Sequence, residues 1–479
     1  WLPPLLAPLD DGDVAGVQAL LLYPDDTIQA AGTVFLDDSL LPVHLLVGHP
    51  RQDAAGVEGR RFSAATAAAL AMRAEDVAAL RGFDPGYRNG FEDVDLSLRA
   101  LELRPGGFRV ATGSVVTHYE SKSPGRFASA MHNRRRFLQR WRDRLPAPEP
   151  EVYADLGWVL KLPVAGDGQP VPAARPEVTG RIRRDPDRLR WGLWIPSTGG
   201  HWGDLWGDTH FAEELAGALS RLGQEVVVHR RDAHADDSTA YDDVCLVLRG
   251  MYRVAAPPDQ TSVLWVISHP DEVDVEELAG FDLVFAASVP WAHQRSRDLG
   301  RPVHPLLQAT GMTPVPGGGE RAATAVFVGN AEERIRPIVH WAVEAELPLE
   351  VYGRGWNALP AGVWRAEFLP NHELERVYRS HTVVLADHWP DMARLGFVAN
   401  RIFDAVAAGA HVLCDDVAGI DQLFPGRVRV CRSAADVRAA YDAALADSGP
   451  PVAAVEMSFD DRARELLRAV RELRGVGAV

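Results

Sequence analysis

Short apolar runs alternate with amphipathic segments from about residue 190 to the end of the chain. Each run has the length of a buried strand, as in WGLWIP, DVCLVLRG, TSVLWVIS and TAVFVGN. The segments between the runs repeat apolar residues at helical spacing, as at Phe211, Leu215, Leu219 and Leu222. Strands that alternate with helices predict doubly wound parallel sheets, which bind ligands at the carboxyl ends of their strands.

The first 145 residues contain a different succession of strand-like and helix-like pieces. A Gly-containing turn at residues 90–93 opens a predicted helix, and the run from Phe108 to Val116 predicts a strand that ends near His118. An acidic residue at a helix start, such as Asp93, often only caps the helix. Held near an imidazole, a carboxylate can instead take a proton from a hydroxyl while the imidazole binds a divalent cation.

The stretch from Leu395 to Asp416 predicts a loop, a helix, a tight turn at Gly409 and a buried strand. Asn400 and Asp404 lie four residues apart and therefore share one face of this helix. Free backbone N–H groups at the helix start could hold a diphosphate, and the Asp404 carboxylate could accept hydrogen bonds from ribose hydroxyls. A purely structural helix is the alternative, because Gly-capped apolar helices occur throughout α/β proteins.

Within that stretch, NRIFDAVAAGAHVLCDD resembles the donor-site segment of GT-B glycosyltransferases, in particular those related to the CgeB group. The resemblance implies that Asn400, Arg401 and Asp404 bind a sugar nucleotide, with the ribose on Asp404. Many members of the family carry a Glu-x7-Glu pair. Here Asp404 occupies the second position and Gly396 the first, so no residue can be assigned the role of the first Glu.

Other segments near predicted strands contain further candidate catalytic and donor-binding residues. WGDTHFA and WVISHPDEV are similar to segments of the same family, and the resemblance implies acceptor-side or catalytic roles for His210 and His269. A structural histidine explains each equally well. Arginine holds a diphosphate through paired N–H bonds. A second candidate phosphate contact is therefore the loop that begins with the last two residues of TAVFVGN. This loop contains Gly329, Asn330, Arg334 and Arg336.

A second resemblance covers roughly Leu20 to Ser123. FDPGYRNGFEDVDLSLR followed by VVTHYESKS is similar to the C-terminal half of family 2, GT-A type glycosyltransferases. The resemblance implies that Asp93 is the general base and that His118 completes the shell of a divalent cation, Mg or Mn. The family's N-terminal half, with its Asp-x-Asp metal motif, is not in this sequence. We therefore expect half an active site here, without donor binding unless the other half is supplied upstream.

The patterns predict an α/β protein, and the two resemblances imply a partial GT-A unit followed by a GT-B module of two Rossmann-like lobes. Proline is concentrated between the two parts and predicts a semi-rigid linker. The expected domains are the GT-A half at 1–144, the linker at 145–188, the acceptor-side lobe at 189–315, and the donor-side lobe with a closing helix at 316–479.

Composition restricts the class of protein and the cellular location that we expect. The formal net charge of −16 argues against a general nucleic-acid binder, and the three cysteines, far apart in sequence, favour reduced thiols in a cytoplasm. No run of 18 apolar residues is present to span a membrane, and the start is a poor signal peptide. Beginning at Trp1 suggests a chain cut from something longer. Arginines at 124–144 predict a solvated helix or peripheral contact with anionic lipid at the inner face of the membrane.

The resulting hypothesis is a glycosyltransferase that moves a sugar from a nucleotide-diphosphate donor to a hydroxyl of a glycan, lipid or polymer, in cell-surface polysaccharide assembly. The GT-B module would need no metal, whereas the GT-A unit would. Two alternatives stay open. A non-catalytic module that binds sugar nucleotides or glycans would show binding without turnover, and a two-lobed sugar-nucleotide epimerase would need no acceptor.

Overall fold

The computed structural model describes residues 1–36, 41–119, 129–161, 177–314, 321–331, 336–447 and 457–475. The chain divides into two compact units and passes between them more than once. Unit 1 comprises Trp1–Gly192, Ser197–Trp206 and Glu225–Asp243. Unit 2 comprises Leu193–Pro196, Gly207–Gln224 and Val244–Val479.

The described part of unit 1 contains short helices and strands, and its last strands lead into unit 2. The helices are α1 (Leu2–Leu6), α2 (Ala74–Ala79), α3 (Glu92–Leu103), α4 (Ala130–Trp141), α5 (Glu151–Asp155) and α6 (Gly200–Asp204). The strands are β1 (Val14–Leu22), β2 (Ile28–Ala30), β3 (Thr33–Phe35), β4 (Pro42–His44), β5 (Leu70–Ala71), β6 (Gly107–Thr117), β7 (Trp158–Lys161), β8 (Glu177–Arg181), β9 (Arg190–Trp194) and β10 (Glu225–His229).

Strand β1 is the centre of the main sheet of unit 1. It pairs antiparallel with β2 and β5 and parallel with β6, with Val17 opposite Arg109. All nine residues of β1 are buried, including Gln18, whose Nε2 donates to the carbonyl of Ala30 at 3.2 Å. Helix α3 follows Phe91, which takes a left-handed conformation (φ 70°), and buries Val94 and Leu98 as the sequence pattern predicts.

The segment predicted as a linker at 145–188 contains packed structure. It includes α5 and the antiparallel pair β7 and β8, while residues 162–176 lie outside the described residues. Val152, Tyr153 and Trp158 are buried in the same core as β1. The predicted linker therefore contains short packed elements, because these apolar residues, set among prolines, bury surface against the rest of unit 1.

A buried guanidinium fixes the next residues. Arg190 is fully buried, and its Nη1 lies 2.7 Å from Asp53 Oδ1 while its Nε donates to Asp242 Oδ1 at 2.9 Å. Burial raises the pKa of Asp53, but the Arg190 guanidinium outweighs it and holds that pKa at about 2. The start of β9 is thereby tied to a residue 137 positions earlier in the chain.

Unit 2 contains regular alternating elements. The helices are α7 (Gly207–Arg221), α8 (Val275–Ala279), α9 (Val289–Leu299), α10 (Pro337–Glu344), α11 (Asn371–Ser380), α12 (Pro390–Leu395), α13 (Asn400–Ala407), α14 (Ile420–Leu423), α15 (Ala434–Ala446) and α16 (Phe459–Leu473). The strands are β11 (Val244–Arg249), β12 (Thr261–Val266), β13 (Leu283–Ala286), β14 (His304–Pro305), β15 (Ala322–Val328), β16 (Leu349–Tyr352), β17 (Trp364–Ala366), β18 (His381–Ala386), β19 (His411–Cys414) and β20 (Val428–Val430).

The strands of unit 2 form parallel sheets, as predicted. Strands β11 to β14 pair in sequence order, and with α7 to α9 we call them the first lobe. Strands β15 to β20 pair in the order β17-β16-β15-β18-β19-β20, and with α10 to α15 we call them the second lobe. The boundary predicted at residues 315 and 316 lies outside the described residues.

Two segments join the lobes of unit 2. Helix α16 buries Ala463, Leu466, Leu467 and Val470, and the ring of Phe459 at its start lies 4.8 Å from Phe211 of α7. The closing helix of the chain therefore packs on the first lobe. Helix α12 follows a second-lobe strand, but Met392 and Phe397 are buried in the core of the first lobe. No helix among the described residues is long and apolar enough to cross a membrane.

Candidate functional site

The carboxyl ends of the second-lobe strands converge on the start of α13. Ile402, Phe403, Val406 and Ala407 are buried, and Gly409 follows the helix with a positive φ of 81°. The predicted helix, turn and strand are therefore confirmed. The N-cap residue is Ala399, whose side chain cannot accept a hydrogen bond from the first turn. The Ile402 N–H bonds to the carbonyl of Ala399 at 3.0 Å. The N–H groups of Asn400 and Arg401 have no hydrogen-bond acceptor among the described residues and can meet a ligand.

Asp404 lies one turn into α13 and is buried. Its Oδ2 accepts a hydrogen bond from Asn400 Nδ2 at 3.1 Å, and the side chain of Thr310 also bonds to it. Burial raises the pKa of Asp404 to about 7, against the hydrogen bonds from Thr310 and Asn400, which lower it. The negative charge of Glu214, on α7 of the first lobe, raises it further. Near neutral pH this carboxyl is therefore poised between its two protonation states.

Two buried polar atoms at the start of α13 lack hydrogen-bond partners in the described part of the chain. They are Asn400 Oδ1, an acceptor, and Arg401 Nη1, a donor. Buried polar atoms in folded proteins are nearly always satisfied, so each such atom needs an explanation. A ligand that brings both hydroxyl donors and anionic acceptors to this helix start would satisfy both.

Arg336 and Arg401 share one carboxylate. Arg336 Nη1 lies 2.9 Å from Asp387 Oδ1, and Arg401 Nη1 lies 3.6 Å from the same atom. Arg336 is buried and also donates from Nε to the carbonyl of Asn330 at 3.0 Å. Arg401 is only half-buried, and its Nη2 lies 3.2 Å from where a β-carbon on Gly329 would sit. Gly329 thus gives the Arg401 guanidinium room beside the strand end.

These contacts indicate different roles for the residues that were predicted to bind phosphate. Arg336 is positioned to hold the loop after β15 together, and a phosphate contact is better suited to Arg401. Asn330 accepts the backbone N–H of Arg354 through Oδ1 at 2.9 Å, so its side chain closes the turn. Arg334 lies outside the described residues.

The two histidines singled out in the first lobe occupy different places. His210 lies on α7, with Nδ1 3.5 Å from Glu213, a helical neighbour. His269 follows β12 in a left-handed conformation with φ 51°, and its Nδ1 lies 3.0 Å from Ser268 Oγ. The ring of His269 lies 5.6 Å from that of Trp389 in the connection leading to α12. Of these two histidines, His269 lies at a strand end and contacts the connection that follows β18 of the second lobe.

Asp208, in the first turn of α7, is a further candidate that the sequence did not predict. Its carboxyl makes no hydrogen bond or ion pair within the described ranges, and burial raises its pKa to about 6. A β-carbon on Gly250, just after β11, would lie 3.6 Å from Asp208 Oδ2 and 3.6 Å from Ser268 Oγ. Gly250 and Ser268 follow β11 and β12, so the Asp208 carboxyl lies at the carboxyl ends of these two strands. The sequence does show an acidic residue within WGDTHFA, but an acid at a helix start is equally consistent with a helix cap.

In unit 1, Asp93 and His118 are both engaged by the protein. Asp93 Oδ2 accepts the N–H of Ala67 at 3.3 Å, and its Oδ1 accepts that of Val94 at 2.9 Å. His118 Nδ1 lies 2.7 Å from Gln29 Oε1. Across the residues that can be described, no three His, Cys, Asp or Glu side chains are grouped to hold a metal ion. The roles of Asp93 and His118 stay predictions.

Residues 334–468 match the model of a glycosyl transferase-like family. The matched stretch includes α13 and covers less than a third of the chain. No protein with a curated function matches the sequence.

The chain is also similar to solved structures of glycosyltransferases, at low identity. One is T4 phage BGT in complex with UDP-glucose, with 10% identity over 60% of this chain and 98% of that chain, and a TM-score of 0.39. Another is AviGT4, a glycosyltransferase involved in avilamycin A biosynthesis, with 15% identity over 60% of this chain and 98% of that chain, and a TM-score of 0.38.

Proposed function

We propose that this chain is a GT-B type glycosyltransferase that transfers a sugar from a nucleotide-diphosphate donor to an acceptor hydroxyl. The observation that carries the proposal is the pair of unsatisfied atoms, Asn400 Oδ1 and Arg401 Nη1, beside Asp404 at the start of α13. The match of residues 334–468 to a glycosyl transferase-like family supports it independently, because that stretch contains all three residues.

The donor would bind by its two polar parts. The diphosphate meets the first-turn N–H groups of α13 and the guanidinium of Arg401, since helix N-termini and arginines both favour anions. The ribose hydroxyls donate to Asp404 and to Asn400 Oδ1. Because the ionised Asp404 is the better acceptor, donor binding favours loss of its proton.

The acceptor hydroxyl would be activated from the first lobe. Asp208, with a pKa raised to about 6, is matched to take a proton near neutral pH. As that proton moves to Asp208, the hydroxyl oxygen bonds to the anomeric carbon of the sugar and the bond from that carbon to the diphosphate oxygen breaks. Arg401 and the start of α13 stabilise the charge that develops on the departing diphosphate. His269 would line the acceptor side of this reaction.

We further propose that the acceptor is a glycan or a lipid-linked glycan of a cell-surface polysaccharide. Helix α4 supports contact with anionic lipid at the inner face of the membrane, because Arg135 and the C-cap residue Arg142 are exposed and Met131, one turn before Arg135, is 77% exposed. Asp84 neutralises Arg136 on the same helix. Unit 1 would bind a divalent cation through His118, with Asp93 as base, only when a complementary half-site is supplied.

The experiment that tests the proposal is a binding screen followed by a turnover assay. UDP, GDP, ADP, CDP and dTDP are screened by thermal shift, since a ligand that binds only the folded state raises the melting temperature. The corresponding sugar nucleotides are then assayed for nucleotide release with and without glycan extracts. A nucleotide that binds wild type but not Arg401→Met, together with acceptor-dependent release, is the expected result. Binding without turnover would instead favour a non-catalytic module.

A further inference from the structure

The connection from β18 to α13 leaves the second lobe, packs on the first lobe and returns, and its two ends meet at His388. The imidazole is fully buried, with Nδ1 2.6 Å from Asp415 Oδ1. Its Nε2 accepts the backbone N–H of Ala399, the N-cap residue of α13, at 2.9 Å. The N–H of His388 itself donates to Asp415 Oδ2 at 3.1 Å.

These bonds fix the tautomer of His388. Since Nε2 accepts a hydrogen bond, the ring proton sits on Nδ1 and is donated to Asp415. Asp415 follows β19 directly, so one side chain joins the ends of two adjacent strands to the start of a helix. The alanine at the N-cap has no side-chain acceptor of its own. The position of the first turn of α13 therefore depends on an acceptor supplied from elsewhere in the fold.

Between its two ends the connection is held by the first lobe. The ring of Trp389 lies 5.6 Å from that of His269. Arg394 pairs with Asp271 at 2.6 Å, and Ser288 Oγ donates to the carbonyl of Leu395 at 2.6 Å. The second lobe also contacts this connection, since Val398 is buried in its core and the Ala393 carbonyl accepts the N–H of Ala418 at 3.0 Å. The bond from Ala399 to His388 adds a direct hydrogen bond at the N-cap, and without it the first turn of α13 could shift when the lobes move.

We infer that His388 is a positioning residue for the donor site. It holds the start of α13 where Asn400 and Arg401 meet the diphosphate and ribose of the donor. This inference rests on the proposed function, because it concerns the same helix start. His388 touches no substrate atom in this role and acts through the Ala399 N–H.

Three variants separate the two hydrogen bonds of the ring. In His388→Gln the side-chain oxygen can reach the Nε2 position and accept from Ala399, while the bond to Asp415 is lost. In His388→Asn the amide nitrogen can replace Nδ1 and bond to Asp415, while the acceptor for Ala399 is lost. His388→Ala removes both bonds.

A matched control lies on β18, the strand that precedes His388. His381, at the opposite end of β18, is also buried, and its Nδ1 lies 2.7 Å from the carbonyl of Val377. His381→Gln therefore measures the effect of losing a buried imidazole from this sheet without touching α13.

The measurement is the dissociation constant of the nucleoside diphosphate that binds wild type most tightly among UDP, GDP, ADP, CDP and dTDP. We expect His388→Asn and His388→Ala to weaken binding about tenfold, the effect of one buried hydrogen bond. His388→Gln and His381→Gln should stay within about twofold of wild type. Exchange of the Ala399 amide hydrogen, measured without ligand, should be faster in the Asn and Ala variants and unchanged in Gln.

Three results would overturn the inference, and they can be told apart. If wild type binds a nucleotide and His388→Asn binds it equally well, the positioning role is wrong and the proposed function stands. If no nucleoside diphosphate binds wild type, the proposed function fails and the inference fails with it. A loss of affinity as large in His381→Gln as in His388→Asn would show a general effect on folding and would also contradict the inference.

Discussion

Arg336 Nη1 lies 2.9 Å from Asp387 Oδ1, and both side chains are almost fully buried. Arg401 approaches the same oxygen at 3.6 Å from a half-buried position. Two arginines that are distant in sequence thus approach the same carboxylate but differ in burial. The buried one holds the loop after β15, and the more exposed one faces the site.

Arg336→Met is expected to lower the free energy of unfolding by about 3 to 5 kcal/mol, because it leaves Asp387 as a buried charge that has lost its closest partner. Urea unfolding monitored by circular dichroism measures the change. Arg438→Met, at an exposed arginine paired with Asp442 on α15, is the control and should cost less than about 1 kcal/mol. Equal losses in the two variants would contradict the structural role of Arg336.

Arg401→Met is expected to weaken nucleoside diphosphate binding by about 1.5 to 3 kcal/mol, the range for hydrogen bonds to charged groups. The fold should be affected less than by Arg336→Met, because Arg401 is half-buried and makes no direct hydrogen bond to Asp387. Isothermal titration calorimetry gives the affinity, and a melting curve gives the stability. Unchanged affinity in a folded variant would remove Arg401 from the donor site.

Asp404 should make stability depend on pH. Its pKa is raised from the ordinary value to about 7 in the folded protein, so the folded state binds more protons than the unfolded state between about pH 4 and 7. Stability from this group is therefore full in acid and is lost as the pH rises through about 7. Asp404→Asn should flatten this slope and be more stable than wild type at pH 8, by on the order of 3 kcal/mol.

The same carboxyl should link donor binding to proton release. Since the ribose hydroxyls bond best to ionised Asp404, nucleotide affinity should rise with pH up to about 7 and then level off. Asp404→Ala should weaken binding by about 1 to 3 kcal/mol at pH 8. Calorimetry in two buffers with different ionisation enthalpies counts the protons released below pH 7. No proton release, with unchanged affinity in the variant, would mean that Asp404 does not touch the nucleotide.

Asp208→Asn is expected to lower the rate of nucleotide release from the sugar nucleotide by about 10²- to 10⁴-fold, the usual contribution of a general base. In wild type the rate should rise with pH through about 6, where burial has placed the pKa of this carboxyl, and this rise should be absent in the variant. Glu213→Gln, an exposed acid on the same helix, is the matched control and should keep the wild-type profile.

Asp93→Asn should leave nucleotide release unchanged. In the structure both carboxyl oxygens of Asp93 accept backbone N–H groups, and the resemblance of this region covers only half of a GT-A site. An asparagine keeps one acceptor, so the fold should also be retained. A clear loss of rate in the assay used for Asp208→Asn would show that unit 1 takes part in the reaction.

The sequence predicts the elements around the site well, because they depend on neighbours along the chain. Helix α13 follows from four apolar residues at helical spacing and from Gly409. Asn400 and Asp404 share a face because they are four residues apart, and the structure shows them hydrogen-bonded. Parallel sheets follow from alternating strands and helices for the same reason.

Properties set by residues distant in sequence could not be predicted. Whether Arg336 faces a phosphate or the interior depends on Asp387, 51 residues later. Asp208 resembles any acid at a helix start until Gly250 and Ser268 are brought beside it by two later strands. Similarly, the prolines between 145 and 188 predict a linker, whereas burial of Trp158 depends on a core built from the first hundred residues.

The ion pair between Arg190 and Asp53 bears on how this chain can be divided. The predicted linker between the two regions with different family resemblances ends at residue 188, which looks like a natural place to separate them. A fragment starting there would carry Arg190 without Asp53, leaving a fully buried guanidinium to face the interior with fewer carboxylates around it. Modular exchange at this junction, by a gene rearrangement or by an engineer, would therefore have to transplant part of the first region together with the second.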